Sequence, residues 1–237
     1  IHPKMEMLEK FWATLPYELT VDQKKVIKDI IKDLNAKYAM NRLLQGEVGS
    51  GKTVVAVSAI LAVVSDGYQA ALMCPTEILS LQHYETIKQM LSCFPEINIA
   101  VLTGSTKSAE RRAIMEGLKQ GTIHIAIGTH ALFQKDVEYN ALGIAIADEE
   151  HRFGVRQRVL IRNKGMDVNY LKMSATPIPR TYALTIYGDM DVSIIKEMPK
   201  GRIPVKTYVR SEKEIKDVLE MMYEELKEKH QIYVIAP

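Results

Sequence analysis

A glycine-rich segment that ends in lysine and threonine has the clearest chemical capacity in this sequence. Residues 46–53 read Gly-Glu-Val-Gly-Ser-Gly-Lys-Thr and match G-x-x-x-x-G-K-[ST], between an apolar run and a helical pattern. Glycines let such a loop turn tightly, so that backbone N–H groups converge on phosphate oxygens at the positive end of the next helix. Lys52 is suited to the β- and γ-phosphates, and the Thr53 hydroxyl to Mg²⁺. The complete motif in this setting predicts a nucleoside triphosphate site rather than an ordinary glycine-rich turn.

A pair of acidic residues follows another apolar run, at residues 143–147. Asp148 is suited to hold the water shell of Mg²⁺, and Glu149 to orient and deprotonate an attacking water. Adjacent acids alone are weak evidence because solvated acidic turns are common, but the phosphate loop upstream makes the assignment specific. His151 follows them. His124 and His130 do not give it the spacing of a zinc site, so we predict a hydrogen-bonding role that joins its loop to another motif.

Short apolar runs and helical patterns alternate along most of the chain, and these elements must position both motifs. The runs lack polar alternation, which is typical of strands buried on both faces of a parallel sheet. We therefore predict an α/β fold in which helices flank a central parallel sheet and ligands bind at the carboxyl ends of the strands. The predicted strands are 42–45, 70–74, 97–102, 123–127, 144–147 and 170–174, and the predicted helices include 20–35, 54–65, 77–91, 109–120 and 157–163.

A concentration of Pro and Gly near residues 198–204 predicts a domain boundary. We assign residues 1–198 to a first domain, 199–204 to a linker and 205–237 to the start of a second domain. The last segment is predicted to form a strand at 205–210, a charged helix at 212–229 and a strand at 232–236. It is too short for a domain, so we interpret the chain as part of a longer protein.

The composition excludes several classes of protein. The 237 residues are 47% hydrophobic and 25% charged, as in ordinary globular domains, which excludes a disordered tail or a collagen-like rod. Two cysteines cannot form a disulfide framework or a four-cysteine zinc site, and they predict a reducing cytoplasm. No apolar run reaches the roughly 18 residues of a membrane-spanning helix, so we predict no membrane partner. The net charge of +2 does not decide whether nucleic acid is a partner.

Three motifs resemble those of the superfamily 2 helicases and translocases. The sequence DEEH at 148–151 is similar to the DExH motif, SAT at 174–176 to the SAT motif, and Leu19-Thr20 with Gln23 to the adenine-contacting Q motif. Thr20-x-x-Gln23 is also a capping box for the helix that follows, and the two roles can hold at different moments. The resemblance implies a RecA-like P-loop NTPase lobe that uses ATP and Mg²⁺, followed by the first αβ elements of a second lobe.

The candidate residues follow from the motifs and from this resemblance. Lys52, Asp148 and Glu149 are the candidate catalytic residues, and Thr53 and Asp148 the candidate Mg²⁺ ligands. The candidate nucleotide-binding residues are Gln23, Gly46, Glu47, Val48, Gly49, Ser50, Gly51, Lys52 and Thr53. The resemblance also implies that Ser174 and Thr176 relay between the γ-phosphate and a DNA strand.

Longer blocks narrow the resemblance to the RecG family of bacterial ATP-dependent DNA helicases, which remodel stalled forks and branched DNA. The blocks lie at 43–56, 74–83, 127–137, 148–158 and 173–181. The translocase module of the transcription-repair coupling factor Mfd shares HRFGV and ATPIPRT and is the alternative. GSG at 49–51 and TGS at 103–105 favour RecG, whereas Glu150 is typical of Mfd. A P-loop nucleotide-binding module without motor activity is the alternative from another class, and Glu149 argues against it.

Three strand-to-helix turns are candidate DNA contacts, at residues 75–76, 103–105 and 128–130. Each could be an ordinary N-capped turn, and the resemblance favours DNA. Around the DExH motif, residues 152–180 contain seven Lys and Arg and a single acid, Asp167, a distribution suited to phosphate binding. Phe153 within it either anchors its loop or stacks on a base. The candidate residues for DNA contact and coupling are Pro75, Thr76, Thr103, Gly104, Gly128, Thr129, His130, His151, Arg152, Phe153, Ser174 and Thr176.

The resemblance implies further parts that the motifs of this chain do not include. These are a second lobe that supplies an arginine finger and a wedge domain that reads the DNA branch. We expect both in the same parent chain, with branched or forked DNA as partner and the cytoplasm of a bacterium, at the nucleoid, as location. We expect the 237-residue chain alone to bind nucleotide and DNA weakly and to hydrolyse ATP slowly, if at all.

Overall fold

The computed structural model describes residues 1–148, 161, 164, 167–176, 190–197 and 206–235. The chain divides into two compact units, Ile1–Lys200 and Gly201–Pro237.

The first unit is built on a parallel sheet of seven strands. Their order across the sheet is β3-β4-β2-β5-β6-β1-β7, and every neighbouring pair is parallel. The strands are β1 (Asn41–Gly46), β2 (Gln69–Met73), β3 (Ile99–Leu102), β4 (Ile125–Gly128), β5 (Leu142–Asp148), β6 (Asn169–Ser174) and β7 (Asp191–Ile195). Six of them lie within two residues of the predicted runs, so the predicted α/β fold with a parallel sheet is confirmed.

The seventh strand does not follow from the sequence pattern. Residues 188–191 are typical of a solvated turn, but Asp191 begins β7. Among the described strands β7 pairs with β1 alone, and it mixes exposed and buried residues, as an edge strand does. Its short, polar-interrupted pattern therefore lacks the continuous apolar run that marks the interior strands.

Helices pack on both faces of the sheet. Among the described residues of the first unit they are α1 (Met5–Thr14), α2 (Val21–Leu34), α3 (Lys52–Val64), α4 (Glu77–Met90) and α5 (Ser108–Gln120), with a 3₁₀ turn at His130–Phe133. In α3 every residue from Val54 to Val63 is buried, because the helix lies between the sheet and α1 and α2. A helix that is apolar on all sides requires such a position.

Successive strand residues face opposite sides of the sheet and divide the core in two. Leu44 and Leu72 belong to the cluster that packs against α1–α4, whereas their neighbours Leu43 and Ala71 belong to the cluster that packs against α5. Both faces of the strands are thus buried, which is why their sequences read as continuous apolar runs. The packing holds the carboxyl ends of the strands at one edge of the sheet.

In the second unit the predicted helix is confirmed, as a 3₁₀ turn at Glu212–Glu214 that runs into α6 (Ile215–Lys227). The two predicted strands are wrong over the described residues 206–210 and 232–235, which form no strand. A strand exists only where a partner completes its hydrogen-bond ladder, and no described segment of this unit supplies one. None of the helices in the described ranges has the length and apolar character needed to cross a bilayer.

Candidate active site

The loop between β1 and α3 carries the glycine-rich motif. Gly49 and Gly51 have φ angles of 81° and 84°, in the left-handed region that favours glycine. A Cβ at Gly46 would lie 2.4 Å from Ser50 Oγ, so a larger residue there would displace the Ser50 side chain. Lys52 Nζ donates hydrogen bonds to the carbonyl oxygens of Gly46, at 2.6 Å, and Glu47, at 3.1 Å. The lysine side chain therefore folds back over the loop in which the motif places phosphate groups.

Residues far apart in sequence meet at a cleft of about 440 Å³ beside this loop. The cleft is lined by Tyr17, Gln23, Val48, Gly49, Gly51, Lys52, Thr53 and Asp148. Only β6 separates β1, which leads into the loop, from β5, which ends at Asp148. The strand order thus brings Lys52, Thr53 and Asp148 together. Glu149 lies outside the described residues.

Gln23 connects α2 to the glycine-rich loop. It forms the predicted capping box, in which the Thr20 N–H donates to Gln23 Oε1 and the Gln23 N–H donates to Thr20 Oγ1. Its Nε2 donates to the carbonyl oxygen of Ser50 at 2.9 Å, and the side chain is buried. Both ends of the amide are therefore engaged within the protein.

Tyr17 is a residue of the cleft that the sequence analysis missed. It lines this cleft and also a neighbouring apolar cleft between α1 and α2 that includes Trp12 and Ile27. Partial burial raises the pKa of its phenol, so it is neutral at physiological pH. The available signal was an aromatic residue two positions before Leu19, at the start of the Q-like motif.

His83 is a second missed residue. Its Nε2 lies 2.7 Å from Asp148 Oδ2, and both side chains are only 14% exposed. His83 belongs to α4, which follows β2 next to β5 in the sheet. His83 is the last residue of the block at 74–83 that resembles the RecG family, but that resemblance assigned no role to it.

The oxygen donors of the cleft fit Mg²⁺. This ion prefers oxygen ligands and usually keeps several waters while bound by one or two protein groups. Asp148 and Thr53 line the same cleft as Lys52, the cation that the motif predicts for phosphates. The residue types of the cleft therefore fit a magnesium–phosphate group.

The three turns predicted to contact DNA lie side by side at the same edge of the sheet. Strand register pairs Gly128, the last residue of β4, with Met73 of β2 on one side and Leu102 of β3 on the other. The turns that follow these strands are therefore adjacent. Pro75, Thr76, Gly104 and His130 are exposed, whereas Thr103, Gly128 and Thr129 are buried.

Gly128 marks how closely these strands approach. A Cβ at this position would lie 1.9 Å from the backbone carbonyl oxygen of Leu102. A larger residue would therefore push β3 away from β4. The observed role of Gly128 is to allow this close approach.

Glu77 joins two of the turns, and we call this contact the Glu77 brace. Its carboxylate accepts hydrogen bonds from Ser105 N, at 3.0 Å, and Ser105 Oγ, at 2.6 Å. These bonds, above all the one from the Ser105 hydroxyl, hold the pKa of Glu77 below its usual range. Thr76, beside it, caps α4 by accepting the Leu79 N–H. The brace fixes the turn after β3 to the first turn of α4, and the sequence analysis missed it.

The SAT motif begins at the end of β6, beside the glycine-rich loop. Ser174 is buried, and its register partner in β1 is Gln45. The hydroxyl groups of Ser174 and Thr176 lie 2.8 Å apart, and the Thr176 N–H donates to Ser174 Oγ. The two residues thus form one hydrogen-bonded unit at the edge of the sheet that carries the cleft.

The basic segment differs from the sequence expectation where it is described. Lys172 is buried within β6, and Lys164 Nζ donates to the carbonyl oxygens of Gln134 and Val137. Neither lysine therefore adds to an open basic surface. The sequence does not show this, because the position of a charge along the chain does not determine whether it is buried or which groups it contacts. The five arginines of the segment, together with His151 and Phe153, lie outside the described residues.

Comparison with known proteins gives one family. The model of the DEAD/DEAH box helicase family matches residues 20–185, which include the glycine-rich loop, the acidic pair and the SAT motif. A domain of this family implies nucleotide binding.

Several relatives that are similar over the whole chain are ATP-dependent DNA helicases named RecG. One from Staphylococcus epidermidis strain RP62A is 49% identical over the whole chain and one from Bacillus subtilis 47% identical over 98% of it. The chain spans 34% of the length of each. The predicted resemblance to the RecG family is confirmed, and the Mfd alternative is not favoured.

Solved structures agree with this result. A structure of RecG bound to a three-way DNA junction matches 95% of the chain with a TM-score of 0.87 and 44% identity, and the match covers 30% of that protein. The helicase MrfA bound to DNA and AMPPNP matches with a TM-score of 0.70 at 17% identity, which shows a shared fold alone. The RecA-like architecture predicted for the first unit is confirmed.

Proposed function

Because the chain belongs to the DEAD/DEAH box helicase family, we propose that it is the first motor lobe of a RecG-type, ATP-dependent DNA helicase that acts on branched DNA and stalled forks. The observation that carries this proposal is the convergence of Lys52, Thr53 and Asp148 in one cleft. The exposed turns after β2, β3 and β4 lie at the same edge of the sheet. Nucleotide chemistry and a strand-tracking surface would thus share one rigid support.

In this proposal ATP occupies the cleft with its phosphates on the glycine-rich loop. Backbone N–H groups and Lys52 bind the phosphates, and Lys52 exchanges its bonds to Gly46 and Glu47 for phosphate oxygens. Tyr17 offers its ring to the adenine base. Gln23 holds the Ser50 carbonyl, and so shapes the loop, in addition to any contact with the base.

Residues around the acidic pair would bind Mg²⁺, activate the attacking water and sense the γ-phosphate. Thr53 and Asp148 would hold Mg²⁺, which when bound neutralises charge on the β- and γ-phosphate oxygens. Glu149 orients the attacking water and accepts its proton. Ser174 and Thr176, which hydrogen-bond to each other at the next strand end, would relay the state of the γ-phosphate.

DNA would lie across the three turns. Phosphate oxygens are bound by hydroxyls, backbone N–H groups and helix N-termini, and the exposed residues Thr76, Gly104 and His130 offer such groups. Thr103, Gly128 and Thr129 would act by shaping the turns, because they are buried. We assign His151, Arg152 and Phe153 to coupling between the cleft and DNA on the strength of the resemblance.

We propose residues 1–198 as the first lobe, 199–204 as a linker and 205–237 as the start of a second lobe. The separate unit Gly201–Pro237 supports this division. So does α6, where the apolar residues Ile215, Leu219 and Leu226 are exposed. A second lobe that supplies an arginine finger and a wedge domain would belong to the same parent protein, in the cytoplasm of a bacterium at the nucleoid.

The test is ATP hydrolysis by the full-length parent with and without a three-way DNA junction. We expect the junction to stimulate the wild type. Lys52→Ala and Glu149→Gln should each abolish turnover, because one removes a phosphate cation and the other the water-activating carboxylate. Lys32→Ala and Glu85→Gln are matched controls, since both side chains are exposed and neither lines the cleft. Stimulation that survives in Lys52→Ala, or junction-independent hydrolysis by the wild type, would contradict the proposal.

A further inference from the structure

The contact between His83 and Asp148 joins the end of the block at 74–83 to the start of the DExH motif, and no role has been assigned to His83 above. His83 Nε2 and Asp148 Oδ2 are 2.7 Å apart, a short distance typical of a charge-assisted hydrogen bond to a carboxylate. Both side chains are 14% exposed, so solvent competes little for the bond. A carboxylate has no hydrogen to donate, so Asp148 accepts and the imidazole N–H donates.

This bond restricts how Asp148 can face the cleft. A carboxylate has two oxygens, and the imidazole engages Oδ2. The other oxygen is then left to act toward the cleft that also contains Thr53 and Lys52. Hydrogen bonds of this kind fix the orientation of a metal-binding carboxylate, and removing such a partner typically lowers metal affinity or activity by about 10–100-fold.

The helix that carries His83 also carries part of the candidate DNA surface. α4 starts directly after Thr76, its N-cap, and Glu77 of its first turn holds Ser105 through the Glu77 brace. His83 lies seven residues after Thr76, about 10 Å along the helix axis. Ser80 and Ile87 of the same helix are buried, so the helix is anchored to the core along its length. A movement of the turn at Thr76 would therefore reach Asp148 through one rigid element.

We propose that His83 is a positioning residue for Asp148. Its imidazole N–H holds one oxygen of the Asp148 carboxylate, so that the other oxygen faces the magnesium side of the cleft. The same bond connects the carboxylate to α4. This inference rests on the proposed function, because it takes Asp148 as a Mg²⁺ ligand. His83 is not among the residues that line the cleft. Its effect is transmitted through the carboxylate.

The experiment measures binding of a fluorescent ATP analogue to the full-length protein as Mg²⁺ is varied, and again in EDTA. His83→Gln keeps an N–H donor at nearly the reach of the imidazole Nε2, whereas His83→Asn carries the same amide on a shorter side chain. His83→Leu removes the donor. Gln82→Ala is the control, because Gln82 is the exposed neighbour on the same helix.

We expect His83→Asn and His83→Leu to need about 10–100-fold more Mg²⁺ for half-maximal binding. His83→Gln and Gln82→Ala should remain close to the wild type. Binding in EDTA should be equal in all variants, because Lys52 and the loop are unchanged, and it shows that each variant is folded. If His83→Leu is unfolded, the comparison of His83→Asn with His83→Gln decides the question.

Equal Mg²⁺ requirements in the wild type, His83→Asn and His83→Gln would overturn this inference alone. Nucleotide binding by the wild type that is insensitive to Mg²⁺ would overturn the proposed function, and this inference with it.

Discussion

At the residue scale, Gly51 is constrained by both its backbone conformation and its packing. Its φ of 84° lies in the left-handed region, where a residue with a Cβ costs roughly 1–2 kcal/mol. A Cβ there would also lie 2.2 Å from Gln23 Nε2, the atom that holds the Ser50 carbonyl. Two separate physical reasons thus favour glycine just before α3.

We expect Gly51→Ala to lower stability and to abolish nucleotide binding, because the added methyl group displaces Gln23 and with it the loop. Thermal unfolding and binding of a fluorescent ATP analogue measure the two effects. Gly67→Ala is the matched control: Gly67 has a φ of 86°, but its added Cβ would meet nothing within 4 Å. It should lower stability by the same backbone cost and leave nucleotide binding intact. Equal loss of binding in both variants would contradict the steric role of Gly51.

At the element scale, the Glu77 brace joins α4 to the turn after β3. The Ser105 hydroxyl and N–H lower the pKa of Glu77, so the ionised carboxylate forms the brace. A carboxyl group with a lowered pKa contributes stability above its ordinary pKa and loses it as pH falls through the lowered value. The brace is therefore intact throughout the neutral range, and pH changes near neutrality should not affect it.

We expect Glu77→Gln to weaken DNA binding several-fold at neutral pH, because the amide imitates the protonated acid and releases the turn at Thr103–Ser105. Fluorescence anisotropy with a labelled three-way junction measures this effect. Glu85→Gln removes the same charge from an exposed position on the same helix and controls for long-range electrostatics. If both variants weaken binding equally, the effect is one of net charge and the brace has no role.

At the scale of the whole molecule, the chain contains the cleft but spans only about a third of the length of its RecG relatives. In the proposed function the arginine finger comes from a second lobe. An arginine finger raises the rate of nucleotide hydrolysis by a factor of about 10³–10⁵. The first lobe should therefore bind nucleotide without the groups needed for rapid hydrolysis.

We expect the isolated 237-residue chain to hydrolyse ATP slower than the full-length parent by about 10³-fold or more. Steady-state ATPase assays of both proteins, with and without a DNA junction, measure the ratio. Circular dichroism of the isolated chain shows whether it is folded in the assay. Robust DNA-stimulated hydrolysis by the isolated chain would place all the catalytic groups within these residues. It would contradict the proposal that a second lobe supplies the arginine finger.

Two kinds of feature could be predicted from the sequence. The glycine-rich loop is local, since its residue types and order determine where backbone N–H groups can point. The interior strands could also be predicted, because burial on both faces leaves a continuous apolar run such as the one before Asp148. The strand order that places Asp148 beside Lys52 was inferred only through the motifs and the resemblance. The structure then showed both residues in one cleft.

Only the tertiary structure decided which side chains meet across elements. His83 and Asp148 are 65 positions apart, Glu77 and Ser105 are 28 apart, and no local pattern encodes either pair. The sequence likewise did not predict the burial of Lys172 or the edge strand that starts at Asp191, since a side chain's surroundings depend on its neighbours in the sheet. Local sequence determines what a segment can form and bind. Contacts between segments depend on the packing of the whole lobe, because residues remote in the chain supply the other half of each bond.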